Sequence, residues 1–113
     1  MNILRNLTKK RWVIKQTMYQ LQPSSIFKEK YIQLVKKDNK VAKRIKKATH
    51  LLSQDPKHPS LKSHRVNTRH LGLRWSSTVT GDIRIIWDYA EDQVLVILLL
   101  DLGGHSGKQK VYR

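Results

Sequence analysis

The spacing of apolar residues changes twice along this chain, and each change marks a different kind of element. Phe27, Tyr31 and Leu34 recur at i, i+4 and i+7, which is one face of an amphipathic helix ending near Lys37. Pro23-Ser24-Ser25 ahead of it stops a preceding strand and offers a hydroxyl cap. Asp38 caps a second helix whose buried stripe is Val41, Ile45, Ala48 and Leu52, with Lys40, Lys43, Arg44 and Lys47 on the opposite side. So short a connection predicts an antiparallel helical hairpin. The chain leaves it at Gln54-Asp55-Pro56, and Pro56 and Pro59 hold the next segment extended.

The period then drops to two. Leu73, Trp75, Ser77 and Val79 alternate with Arg74, Ser76 and Thr78, which predicts a half-buried strand. Thr80-Gly81 turns the chain into a second strand, where Ile83, Ile85, Trp87 and Tyr89 alternate with Asp82, Arg84, Ile86 and Asp88. After a turn at Ala90-Glu91-Asp92, Val94 to Leu100 is apolar on both faces, as in a central strand covered on both sides. A short first strand around Met18-Tyr19-Gln20-Leu21-Gln22 completes the order. The expected fold is α+β: a strand, an antiparallel helical hairpin, then a three-stranded antiparallel meander, with the helices on one face. Gly103-Gly104-His105-Ser106-Gly107 and a basic tail to Arg113 follow the last strand.

Length divides the chain into one domain, 18–113, and a basic stretch, 1–17, with a thin apolar pattern and no turn signals. That stretch reads equally as a helical extension, a flexible basic arm or a translated leader. The absence of cysteine excludes a disulfide framework, a thiolate zinc site and a cysteine nucleophile, and it suits a reducing cytoplasm. No pair of the five histidines has metal-binding spacing on a helix, so no metal site is expected. The apolar run at 94–100 is far shorter than the ~20 residues of a spanning helix, and Lys15 interrupts Trp12-Val13-Ile14 before it reaches signal-peptide length. A cytoplasmic protein without membrane contact is the expectation.

Charge narrows the partner. With 23 Lys and Arg against 8 Asp and Glu, the formal charge is +15, and self-repulsion of that size favours a bound polyanion. A merely solvated basic surface and an anionic membrane are the competing accounts. RNA is the better candidate.

Four runs in order now carry a resemblance: His58-Pro59-Ser60-Leu61-Lys62-Ser63-His64, Trp75-Ser76-Ser77, Gly81-Asp82-Ile83-Arg84-Ile85-Ile86-Trp87 and Leu100-Asp101-Leu102-Gly103-Gly104-His105. Together they resemble the RelE/ParE superfamily of bacterial toxins, nearest to the RelE/YafQ-like mRNA interferases, over residues 18–113. The resemblance implies a type II toxin–antitoxin toxin with a RelE-like microbial RNase fold. Such a toxin is an endoribonuclease that cuts mRNA, commonly on the ribosome, with no metal or other cofactor. An acidic cognate antitoxin would hold it inactive, and the free toxin would be monomeric. In that chemistry the RNA 2′-OH attacks its own phosphate, which calls for a base, an acid and a fixed cation.

His105 sits after a Gly-Gly turn where backbone approaches a ligand closely, and an imidazole suits proton transfer near neutrality. In YafQ-like toxins the matching Gly-x-His histidine is catalytic. His64 matches another catalytic position, although His58 and His70 nearby leave the assignment ambiguous. Asp82 aligns with an acid used by those enzymes, and an Asp after Thr-Gly is also what a tight turn favours. Arg84 shares a strand face with Asp82, to hold the scissile phosphate or to pair with that carboxylate. Tyr112 is a base-stacking or proton-transfer candidate whose distance from His105 departs from the compact family ending. The histidine expected four residues before the strand acid is replaced by Thr78, so the catalytic set is incomplete by that template.

Lys62, Arg65, Arg69, Arg74, Lys108, Lys110 and Arg113 are the RNA-binding candidates around the cleft. Trp75 and Trp87 fall on inward-facing positions and read as core, with base stacking as the alternative. The Lys40, Lys43, Arg44, Lys47 stripe is either a solvated helix face or a contact for ribosomal RNA. Two other functions share these features. A ParE-like toxin binds DNA gyrase without acid–base groups, and a non-catalytic RNA-binding module would use charge alone.

Overall fold

Ser24 joins the two halves of the molecule. Its backbone is extended, its Oγ accepts the Phe27 N–H at 3.0 Å, and its hydroxyl donates to the Leu100 carbonyl at 3.0 Å. One side chain thus caps the first helix and ties it to the last strand. The computed structural model describes residues 18–104. The stretch 1–17 and the candidates His105, Lys108, Lys110, Tyr112 and Arg113 lie outside the described residues.

The elements are β1 (Gln20–Pro23), α1 (Ser25–Lys37), α2 (Lys40–Gln54), a short 3-10 turn (Pro59–Leu61), β2 (His64–Asn67), β3 (Leu73–Thr78), β4 (Ile83–Tyr89) and β5 (Val96–Gly104). The expected Asp38 cap is shifted by one: the N-cap position of α2 is Asn39, which makes no side-chain cap bond, while Asp38 ends α1 and its Oδ1 accepts the Lys40 N–H at 3.0 Å. The five strands form one sheet in the order β1-β5-β4-β3-β2, with β1 parallel to β5 and every other pair antiparallel. No helix among the described residues is long and apolar enough to cross a membrane.

Three details correct the expected fold. The meander has four strands, because His64–Asn67 pairs with β3 as an edge strand. Val66 is its one apolar residue, so no alternation announces it. The last strand also runs on through Gly103 and Gly104, which pair with Arg84 and Ile83 instead of forming a turn. Its start is later than expected: Leu95 has a left-handed φ of 58° and Val94 is exposed.

β5 keeps its core side in register by means of a bulge. Ile86 faces Asp101 and Trp87 faces Leu99, leaving Leu100 as the extra residue, and its carbonyl takes the Ser24 hydroxyl. Without the bulge, Asp101 would point into the core with Leu99. With it, Leu102 joins Leu99, Ile97, Ile85 and Trp87 against Phe27, Ile45, Ala48 and Leu52.

Trp75 and Trp87 are core-facing, as their spacing predicts, stacked at 5.6 Å and 17°. Trp87 is fully buried, so its indole N–H needs a partner. It donates to Ser77 Oγ at 2.8 Å; Ser77 and Ser63 hydroxyls meet at 2.6 Å; Ser63 donates to the Pro56 carbonyl at 2.7 Å. Because the Ser63 proton goes to a carbonyl, Ser77 supplies the proton between the two hydroxyls. This chain fastens the 56–63 segment to the sheet. Ser77→Ala strands a buried indole N–H and is expected to lower unfolding free energy by about 2 kcal/mol. Ser63→Ala leaves that bond intact and is expected to cost less; urea denaturation of the two variants checks the order.

The Tyr89 ring meets Trp87 edge-on at 5.1 Å and Tyr19 at 5.7 Å. Burial first, then the charges that Tyr19, Asp88 and Asp55 would place beside it, raise the Tyr89 phenol above its ordinary value. The folded state therefore holds this proton more tightly than the unfolded chain. The associated stability is fully present below about pH 10 and is lost as pH rises through the raised value. Urea midpoints are expected to fall less between neutral and strongly alkaline pH in Tyr89→Phe than in the native chain.

Candidate functional site

Residues opposite one another in a sheet ladder share a face, so the register assembles the site. On the face turned away from the core, one row runs His64, Ser76, Ile86, Asp101, and the next runs Thr78, Arg84, Gly103. His64 and Arg84 thus share a face with only β3 between their strands, roughly 10 Å apart sideways at the usual strand spacing. Ser76 and Ile86 are fully buried at the middle of this face.

Exposed His64 has its Nδ1 2.9 Å from the Lys62 carbonyl. A carbonyl only accepts, so in the neutral ring Nδ1 carries the proton and Nε2 is the basic nitrogen. His58 has a different job. Its Nδ1 accepts the Ser60 N–H at 3.1 Å and caps the 3-10 turn. His70 lies exposed in the β2–β3 connection.

The β3–β4 hairpin positions the acid and the cation. Thr80 Oγ1 accepts the N–H groups of Asp82 at 3.2 Å and Ile83 at 3.0 Å, which shapes the turn. Arg84 is half-buried, and its Nη1 donates to the Thr80 carbonyl at 2.6 Å and the Ile83 carbonyl at 3.2 Å. The guanidinium is thereby aimed by its own hairpin's backbone while retaining further N–H groups. The cross-strand Arg–Asp pair on this face is a different one, Arg74 with Asp88 at 3.1 Å, and Arg74 Nε also donates to the Leu71 carbonyl.

Asp82 reaches the last strand. A β-carbon at position 104 would stand 2.6 Å from Asp82 Oδ2 and 3.1 Å from its Cγ. Glycine at 104 therefore lets the carboxylate rest against the backbone of β5, one residue before His105 in the chain. Asp82 and the end of β5 are brought together in a way that sequence separation does not reveal.

The RNA-binding candidates divide. Lys62, in a left-handed conformation after the 3-10 turn, and Arg69 are exposed. Arg65 lies over the Trp75 ring at 5.4 Å, and Lys57, which sequence reasoning missed, sits over the same ring at 4.1 Å. Also missed was the ion pair of Lys30 with Asp101 at 2.7 Å. Its α1 partner is too distant in sequence to signal it. Among the described residues no group of three or more His, Asp or Glu side chains is placed to hold a metal ion.

No protein-family model matches the chain, and no curated protein matches it. Solved structures do. The crystal structure of YafQ from E. coli strain BL21(DE3) matches at 19% identity and TM-score 0.57, covering 76% of this chain and 92% of that one. Two structures of the E. coli DinJ–YafQ complex, one described as a toxin–antitoxin complex, match at 20% and 21% identity with TM-scores of 0.56 and 0.55. They cover 78% and 77% of this chain and 93% of each matched chain. The match spans nearly all of YafQ, and this chain has the fold of YafQ.

Proposed function

We propose that this protein is the toxin of a type II toxin–antitoxin pair and acts as a metal-independent endoribonuclease on mRNA, on the ribosome, in the cytoplasm. The observation that carries the reading is the fold shared with YafQ, a protein solved alone and in complex with DinJ. The partner on this reading is an acidic antitoxin, matched to a chain of formal charge +15. The free toxin is a monomer.

The chemistry follows from the groups around the β3–β4 hairpin and the end of β5. A base removes the 2′-OH proton as the 2′-oxygen attacks phosphorus. The bond to the 5′-oxygen breaks as an acid protonates it, leaving a 2′,3′-cyclic phosphate and a 5′-hydroxyl. His105 and Asp82 serve as the proton-transfer pair, Asp82 held at Gly104 beside the point where His105 follows. Arg84, aimed by the Thr80 carbonyl, neutralises the phosphorane. His64, with Nε2 as its basic nitrogen, faces the same sheet surface as a second proton carrier. Tyr112 stacks on a base flanking the cut. Lys62 and Arg69 beside β2, with Lys108, Lys110 and Arg113 of the tail, hold flanking phosphates; Arg65, the register partner of core-facing Trp75, lies on the opposite face over that ring.

Purified protein incubated with mRNA, with and without ribosomes, tests this. Cleavage mapped by primer extension is expected only when ribosomes are present. Inhibition of DNA supercoiling without RNA cleavage would select the gyrase-directed reading.

A further inference from the structure

We infer that the groove between α2 and the β3–β4 hairpin is a second RNA-binding subsite, taking the phosphates of the substrate strand where it leaves the sheet face. The inference rests on the nuclease reading for its substrate and on separate residues for its geometry. Lys43 and Arg44, with Lys47 one helical turn further on, line a cleft of about 490 Å³ with Ser60, Leu61 and Thr78. A cleft that size is in the range of small-ligand sites and has room for a nucleotide. Arg44 also lines an adjoining hollow with Lys40, Thr80 and Gly81, so the two form one groove along the helix.

Charge decides the class of ligand. The ion pairs among the described residues are Lys30–Asp101 and Arg74–Asp88, and neither involves this groove. The one carboxylate along it, Asp38, lies at the far end and accepts the Lys40 N–H. Three cations beside the hydroxyls of Ser60 and Thr78 form a lining for phosphate and sugar, with an apolar floor beneath. That is the composition of a groove that tracks a single strand.

Continuity with the sheet face decides the source. Thr78 lines the cleft and is also the register partner of Arg84. Thr80 lines the adjoining hollow and holds the Arg84 guanidinium through its carbonyl. A strand whose phosphate sits at Arg84 therefore reaches the groove by passing over the end of the β3–β4 hairpin, where Thr78 and Thr80 belong to both. A folded RNA docking on α2 would have no need of that junction.

The test uses the full chain carrying His105→Gln, so that binding is read without cleavage. Affinity for short and long oligouridylate and for duplex RNA is measured across a salt series. One variant adds Lys43→Gln, Arg44→Gln and Lys47→Gln. A charge-matched control adds Lys36→Gln, Lys37→Gln and Lys46→Gln, all exposed and none lining the groove. Thermal unfolding confirms that each is folded. The groove variant is expected to flatten the salt dependence for the long oligomer by about 2 in logarithmic slope, three phosphates at about 0.7 each, or about 100-fold in affinity at 0.1 M salt relative to 1 M. It is also expected to lose the gain in affinity from short to long oligomer, which the control keeps. Equal loss in the control would reduce the groove to generic charge. Equal loss for duplex RNA would assign it to docking of structured RNA and overturn the proposal. Because no arm depends on cleavage, failure of the nuclease reading and failure of the groove are separately visible.

Discussion

Expression of His105→Ala is expected to abolish growth arrest, with mRNA cleavage reduced about 10³-fold and antitoxin binding unchanged. The size follows from the task. A positioned general acid or base supplies about 10² to 10⁴ in rate, and imidazole is the side chain whose ordinary pKa lies nearest neutrality. Antitoxin binding is the control because it needs the folded surface and not proton transfer. Full toxicity in the folded variant would remove His105 from the reaction and leave charge as the main functional feature. The pH profile gives a second check, since loss of a titrating acid or base is expected to flatten one limb of the native rate curve.

Gly104→Ala is expected to separate activity from stability. The new methyl would meet Asp82 Oδ2 at 2.6 Å, so one of the two must move. The obstacle is the carboxylate end of an exposed side chain and not backbone, so the fold is expected to persist with a modestly lowered thermal midpoint. Displacing a reacting carboxylate by about 1 Å can cost about 10²-fold in rate, and cleavage is expected to fall by that order. Asp82→Asn is expected to give a similar loss while Gly104 is untouched. A variant with Gly104→Ala that cleaves at the native rate would remove the Asp82 carboxylate from the reaction; the bond to Thr80 Oγ1 comes from the backbone N–H at that position, which any residue but proline supplies.

Much of the frame was legible before any coordinates. The i, i+4, i+7 spacing marks both helices because burial along one stripe is their main source of stability. Alternation marks β3 and β4 for the same reason, and it places Trp75 and Trp87 on the core side where they stack. β2 escaped because an edge strand buries little, and His64–Asn67 carries one apolar residue. Gly103 and Gly104 read as a turn because glycine weakens a strand, yet their ladder with Arg84 and Ile83 holds them extended. Trp87 left its polar partner unstated too, since Ser77 faces it only once β3 and β4 are in register.

The candidate site divides the same way. The resemblance to RelE/YafQ-like toxins, more than residue type, is what makes His64, Asp82, Arg84 and His105 the candidates, because proton transfer and phosphate neutralisation restrict the side chains but not their positions. Where those groups stand relative to one another is long-range information. His64 meets the face of Arg84 through the pairing of β2 with β3, and Asp82 meets Gly104 through the pairing of β4 with β5. The bulge at Leu100 is decided at the same level. The run Val96 to Leu100 is apolar throughout, so periodicity cannot say which residue is skipped. The hydroxyl of Ser24 and the core's demand for Leu102 settle it, and they turn Asp101 outward. By itself the sequence determined the helical hairpin, β3, β4, their core faces and the large positive charge, because each depends on local spacing or on composition. Register, the bulge, the Asp82–Gly104 contact and the groove along α2 were decided only by tertiary structure, because each is set by residues that become neighbours when the sheet closes.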